Sequence, residues 1–332
     1  MLYLQISRKY VLWTAGRTSV VRRYATKVDI KALKRLRELN SVSMSKAKEA
    51  LVNTDNDIDQ ALEWLEKDAV RSGAMKAEKV KGRAATEGAI AVHVNDAQTA
   101  AAIIELGCET DFVARNATFV DLASAIARAG IGFGRGDVLA SIEVDQISQK
   151  MLGDKSVGDT VTEAIGRLGE NMVLRRALAV GSGAASDIIV SGYIHGAVAG
   201  TDGASAGKIG GLIVVRSSSA TKQDHRATLA QLARRLAQQV VGYAPKYKTV
   251  AEWKRAKAAG AEESCGDEPE VCVLEAQQFL FGGGTIAEVL AKVSKGVGAP
   301  VEIVSFARIE RGEGVEKAAK PDFANEVRQQ LA

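Results

Sequence analysis

The sequence predicts an α+β fold, a small three-helix unit followed by a larger core of mixed strands and helices. Three observations predict it. Apolar residues recur at helical spacing three times before residue 68, β-branched runs of strand length recur between residues 88 and 309, and amphipathic stretches lie among those runs. At 332 residues the chain can build more than one core. A hydrophobic content of 46% with 25% charged residues is that of an ordinary soluble protein. No apolar run approaches the roughly 20 residues that a membrane helix needs.

Residues 1–28 contain no Asp or Glu, while Arg8, Lys9, Arg17, Arg22 and Arg23 are spread among Ser, Thr and bulky apolar residues. An acid-free, basic, amphipathic leader has the composition of a mitochondrial transit peptide. Residues 1–25 are therefore expected to be one, with the matrix as destination, and Arg22-Arg23-Tyr24-Ala25 resembles a matrix-protease cleavage site. The net charge of +4 rests on this leader, since without residues 1–24 the chain holds 39 basic against 40 acidic residues. A near-neutral chain lacks the basic footprint of a general nucleic-acid binder. Cys108, Cys265 and Cys272 are odd in number and fit no metal spacing. They are expected as free thiols, and with His93, His195 and His225 as the only histidines no metal site is expected.

The three helices of residues 26–68 follow from Ile30, Leu33, Leu36 and Leu39, from Ala47, Ala50 and Leu51, and from Ile58, Ala61, Leu62 and Leu65. Asn56 or Asp57 can cap the third. Residues 69–86, rich in Lys and Ala, are expected as a solvated linker or exposed helix. A strand over 88–94 meets turn chemistry at Asn95-Asp96. Residues 99–106 are alanine-rich and helical by propensity. Residues 116–129 form an amphipathic helix, 130–136 a glycine-rich loop, 160–168 a helix and 172–180 a strand. Strand-like runs at 188–195 and 208–216 precede a long helix at 224–241, with Leu229, Leu232, Leu236 and Val240 on one face and a stop at Ala244-Pro245. Residues 250–270 read as charged and irregular, 285–294 as a helix and 301–309 as a strand.

Between the run ending at Leu106 and the helix at 116–129 stands Glu109-Thr110-Asp111-Phe112-Val113-Ala114-Arg115-Asn116, an acid, an aromatic and an arginine packed into a helix-opening turn. On spacing alone Phe112 groups with Phe119, Leu122 and Ile126 as core, and Asp111 and Asn116 read as caps. This stretch resembles elongation factor Ts, the guanine-nucleotide exchange factor of elongation factor Tu. Further matching blocks lie at 169–176 (Gly-Glu-Asn-Met-Val-Leu-Arg-Arg), 193–196, 208–215 and 306–323, the last carrying Gly312-Glu313-Gly314 and Asp322-Phe323-Ala324.

The resemblance implies a ubiquitin-associated-like domain over 26–68 that contacts the partner's G domain, then a core of two similar α+β halves, 87–185 and 186–327. It favours a strand over 99–106. It implies no cofactor and no covalent chemistry. The work would be differential binding to GDP-bound and nucleotide-free elongation factor Tu, mitochondrial in view of the leader. Phe112 would act as the wedge, Asp111 and Arg115 would orient its tip, Thr110 and Asn116 would fix the turn, and Val113 belongs to the same contact. Near the end of the long helix the family carries a Met-His pair. Here Gln238 and Gln239 take those places as a possible secondary contact. The long helical insertion of many members is absent.

Arg175 and Arg176 are expected to face opposite ways, one of them toward a buried acid, and Glu313 and Lys317 to be scaffold. Residues 202–209 imitate a phosphate-binding loop, but Asp202 replaces its first glycine and Ile209 its magnesium-binding hydroxyl. The rival to an exchange factor is a non-catalytic protein-interaction module of the ubiquitin-associated kind.

Overall fold

A computed structural model describes residues 28–39, 42, 44–181, 187–260 and 268–315, and the chain divides into two compact units, one ending at Lys67 and one beginning at Asp68. The expected leader, Cys265, Lys317 and the Asp322-Phe323-Ala324 block lie outside the described residues.

The first unit holds α1 (Ile30–Leu39), α2 (Met44–Asn53) and the opening turns of α3 (Ile58–Val80). Its interior is small, built from Leu36, Ala47, Ala50, Leu51, Ala61 and Leu65. Of the four-residue stripe expected in α1 only Leu36 is buried, because Ala32 and Leu36, one turn apart, face inward and leave Ile30 and Leu39 exposed. Asp57 accepts from the Gln60 N–H at 2.9 Å and so caps α3, while Asn56 accepts from the Asp29 N–H at 2.9 Å. The expected linker is helical as far as Val80. Ala77 and Val80 join the core of the second unit, and Lys76 donates to the Gly166 carbonyl at 2.6 Å.

The second unit continues with β1 (Glu87–Val94), β2 (Ala100–Cys108), α4 (Asp111–Ala114), α5 (Ala117–Gly130), β3 (Gly136–Ile142) and α6 (Val144–Ser148). A short hairpin, β4 (Met151–Leu152) and β5 (Lys155–Ser156), leads to α7 (Val157–Leu168), β6 (Met172–Gly181) and β7 (Ile188–His195). A second, β8 (Val198–Ala199) and β9 (Ser205–Ala206), precedes β10 (Ile209–Arg216) and α8 (Gln223–Tyr243). The described chain closes with α9 (Val250–Ala258), α10 (Pro269–Cys272), α11 (Ile286–Val297) and β11 (Glu302–Glu310). The class is α+β, as expected.

Period-two alternation fixes the layers. In the antiparallel sheet β1-β2-β6-β3, Ala89, Ala91, Ala102, Ile104 and Ala177 face α5 and α7, whereas Ile90, Ala101, Ile103 and Val180 face the other way. There they meet Ile188, Val190, Leu212 and Val214 of the sheet β11-β10-β7, whose far face carries Ile189, Ile213 and Val215 against α8 and α11. Two sheets thus pack face to face between two helical layers. An isolated bridge pairs Ile90 of β1 with Gly207, in the link from β9 to β10.

Three expectations are corrected here, the irregular run over 250–270, the opposed arginines and the free thiol at Cys272. Residues 99–106 are strand, as the resemblance favours, because pairing on both edges overrides alanine's helical propensity. Residues 250–258, read as irregular, are a helix capped by Thr249, whose hydroxyl accepts from Glu252 N–H at 3.2 Å. Residues 136–142, for which no element is expected beyond the loop ending at 136, are a strand at the edge of the first sheet. Arg175 and Arg176 do not face opposite ways. A register shift at Glu105/Leu106 adds a residue to β6, and both guanidinium groups reach the buried Glu105 carboxylate, Arg176 at 2.6 Å and Arg175 at 3.6 Å. Cys108 is a free thiol but Cys272 is disulfide-bonded, a pairing for which thiol spacing carried no signal.

Candidate functional site: a clamped turn with an exposed aromatic

β2 lies between β1 and β6 and is buried along almost its whole length, so its end is a rigid point of departure. Three residues later the chain must leave the sheet and start a helix. Thr110 makes that change as the N-cap of α4, its hydroxyl oxygen accepting from the Val113 N–H at 3.3 Å. Below it Cys108 donates its S–H to the Thr110 carbonyl at 3.2 Å, and burial, aided by the Glu170 and Glu87 carboxylates, pushes this thiol up to about 12.

The α4 turn is only four residues long. Ala114 is buried and Val113 packs on the core, so Phe112 points the other way, with 83% of its surface exposed. Asn116 then starts α5 as a separate helix, its side-chain oxygen accepting from the Thr118 N–H at 2.9 Å. This break resets the helical phase. Phe119, Leu122 and Ile126 enter the core and Phe112 does not, which corrects the reading that grouped all four. Asp111 is not a cap either, because Thr110 holds that place. Asp111 sits in the first turn and accepts from Arg115 at 3.0 Å, an exposed pair worth about 0–1 kcal/mol.

A second pair of residues fixes the turn from outside it. Glu170 takes the Thr110 N–H at 3.0 Å and the Thr110 hydroxyl at 2.6 Å, and Glu109 takes the Asn171 N–H at 2.7 Å. In the sequence Glu170 and Asn171 stand within the matching block 169–176 with no role of their own. The signal available was their place directly after Gly169, whose φ of 80° closes α7 and turns the chain back.

Gln238 and Gln239 lie apart from this site, near the end of α8. Gln238 is half-buried and Gln239 has no exposed surface, so the expected outward contact does not fit Gln239. Its amide instead donates to Gln277 Oε1 and to the Gln278 carbonyl, both at 3.2 Å, and accepts from the Leu280 N–H at 2.8 Å. Buried polar groups demand such partners.

The loop that imitates a phosphate cradle is the β8–β9 hairpin, and Lys208 is followed by a strand where a phosphate loop needs a helix. Its tip is tied to α5 by Asp121, which accepts from the Thr201 N–H and hydroxyl, each at 2.7 Å. A neighbouring cleft of about 470 Å³ is lined by Arg128, Lys150, Asp121 and Asp202 among others. Among the described residues no cluster of His, Cys, Asp and Glu could hold a metal, and no helix is long and apolar enough to cross a membrane.

Fold and site together define a presenting scaffold, a two-sheet core that holds one exposed aromatic on a turn fixed by side-chain hydrogen bonds. The family model for elongation factor TS matches residues 109–264, beginning at the residue that opens this turn. Elongation factor Ts of Rhodopseudomonas palustris (strain TIE-1) is 35% identical over 320 residues, covering 89% of this chain and 95% of its own. That of Rhodospirillum rubrum is 34% identical over 324 residues, with 90% and 97% covered, and that of Clostridium perfringens 32% over 329 residues, with 90% and 98% covered. This chain belongs to the elongation factor Ts family.

Proposed function

We propose that this chain is the exchange factor of mitochondrial elongation factor Tu, binding its GDP-bound form and promoting GDP release during protein synthesis in the matrix. The observation that carries the reading is Phe112, 83% exposed on a turn that Glu170 holds through Thr110. Leaving a phenylalanine in water forgoes about 1.5–3 kcal/mol of burial, which a partner's groove can recover. A G protein grips its nucleotide through backbone N–H groups around the phosphates and through magnesium. A wedge that fits only the distorted, emptied form weakens the nucleotide by the factor it gains, because the coupling is reciprocal.

Asp111 and Arg115 complete this contact as polar groups beside the tip, while Thr110 and Asn116 fix the turn and Val113, packed on the core, backs it from within. The three-helix unit serves as a ubiquitin-associated-like second contact on the partner's G domain, supported by the 80% exposure of Ile30 beside Lys31 and Lys34. The matrix location is supported by the acid-free leader. The chain acts without a cofactor and makes no covalent intermediate.

The test adds the purified chain in catalytic amount to mitochondrial elongation factor Tu loaded with fluorescent GDP, and follows release against excess GDP. Accelerated release is expected. A folded chain that leaves release unchanged on a competent partner refutes the proposal and favours the interaction-module reading.

A further inference from the structure

A helix of four residues cannot hold its own geometry, because a single turn fixes many dihedral angles for very few hydrogen bonds. The direction of Phe112 must therefore be set from outside α4. We propose that Glu170 is the positioning residue of Phe112 in the exchange reaction, an inference that rests on the exchange reading above.

Both carboxylate oxygens of Glu170 are committed to one residue, Oε1 to the Thr110 hydroxyl at 2.6 Å and Oε2 to the Thr110 N–H at 3.0 Å. The first is short, as expected for a hydroxyl donating to a carboxylate. Thr110 passes the constraint on. Its hydroxyl oxygen accepts from the Val113 N–H at 3.3 Å and its carbonyl from the Ala114 N–H at 3.2 Å, so the bonds span the backbone on both sides of Phe112.

Glu170 is itself anchored. Gly169, at φ 80°, sets its position at the end of α7, and the next N–H, that of Asn171, donates to Glu109 at 2.7 Å. The Asn171 side chain donates to the Arg83 carbonyl at 2.8 Å. Two struts therefore run side by side, each an acid from one segment holding a donor of the other. Such networks stiffen when every member is satisfied.

Two donors converge on Glu170, and only a carboxylate offers an acceptor to each. A glutamine has the same length and still accepts from the Thr110 N–H, but it turns an NH₂ group toward the Thr110 hydroxyl, which must then accept instead of donate. The short bond to a carboxylate is replaced by a weaker neutral one of reversed direction, and the backbone fold is left untouched. The role is indirect, because Glu170 acts on Phe112 through Thr110.

The test measures GDP release from mitochondrial elongation factor Tu over a range of concentrations of the full chain. Wild type, Phe112→Ala, Glu170→Gln and the double variant are compared, with melting temperatures read alongside. Glu170→Gln is expected to lower the saturating rate about tenfold and to keep the half-saturating concentration within about twofold. In the Phe112→Ala background it is expected to cost less than about twofold more, since both changes remove the same contact. A loss of general stability would not show that dependence on Phe112.

Thr110→Val carries the same test if Glu170→Gln fails to fold, and Thr110→Ser, which keeps the hydroxyl, is expected to recover most of the loss. Effects that multiply in the double variant, or a wild-type rate per folded molecule from Glu170→Gln, overturn the positioning role and leave the exchange reading standing. A wild-type chain that fails to accelerate release overturns both.

Discussion

Two turns in the second unit carry exposed aromatic rings, and they differ in what those rings have already found. Phe281 is 43% exposed, lies edge-on to Phe279 at 5.4 Å and sits under the Arg235 guanidinium at 5.3 Å. Phe112 is 83% exposed, and among the described residues no ring or cation contact of this kind involves it. Both turns are tied down from behind, the one by Gln239, the other by Glu170 and Glu109. The tie is thus common to both, and the ring's freedom is not. A side chain that is satisfied within its own fold contributes to stability, whereas one held rigid and left in water keeps its burial energy for another molecule.

The sharpest way to break this comparison is to cut each tie and ask which quantity moves. Gln239→Ala leaves the Leu280 N–H and the Gln278 carbonyl without their buried partner and opens a cavity. It should destabilise by about 3 kcal/mol, or roughly 6–12 °C in Tm at this size. Exchange per folded molecule should hardly change. Thermal unfolding followed by circular dichroism, paired with GDP release, checks both halves, and a large exchange defect in a stable Gln239→Ala would reverse the assignment of the two turns.

Phe112→Ala should behave in the opposite sense, slowing exchange about ten- to a hundredfold with no measurable loss in Tm. A Tm drop with full exchange activity would mean that the ring works for the fold after all. Phe281→Ala comes next in size. It removes an edge-to-face pair and a cation–π contact, together worth about 1–2 kcal/mol, and should lower Tm while GDP release stays within about threefold of wild type.

How far the sequence foretold these turns depends on how local their causes are. Strand alternation and the helical stripes of 117–130 and 223–243 rest on residues a few positions apart, and those elements appear where spacing put them. Phe112 was illegible on spacing because its exposure depends on one cap, Asn116, that interrupts an otherwise continuous helical pattern. The shared direction of Arg175 and Arg176 depends on a bulge across from Glu105, and Gln239's inward role on partners about 40 residues away. The resemblance to a family supplied Phe112 but could not supply Glu170's hold on Thr110, which joins segments 60 residues apart.

The least disruptive probe of the second turn's surroundings is electrostatic. Glu275, in the short helical turn just before Gln277, has its carboxyl pushed above the usual carboxylate range, chiefly by burial and further by Glu252, with Lys248 pulling the other way. Its folded value lies above its unfolded one, so protonation favours the fold. That contribution is fully present below the unfolded value of about 4.3 and is lost as pH rises through the folded value. Glu275→Gln, neutral throughout, should therefore gain stability relative to wild type as pH is raised from about 4 to 7. Urea unfolding at several pH values would show the two chains diverging in that direction, while exchange at pH 7 stays the same for both. Divergence in the opposite direction would mean that the Lys248 attraction, and not burial, dominates at this site.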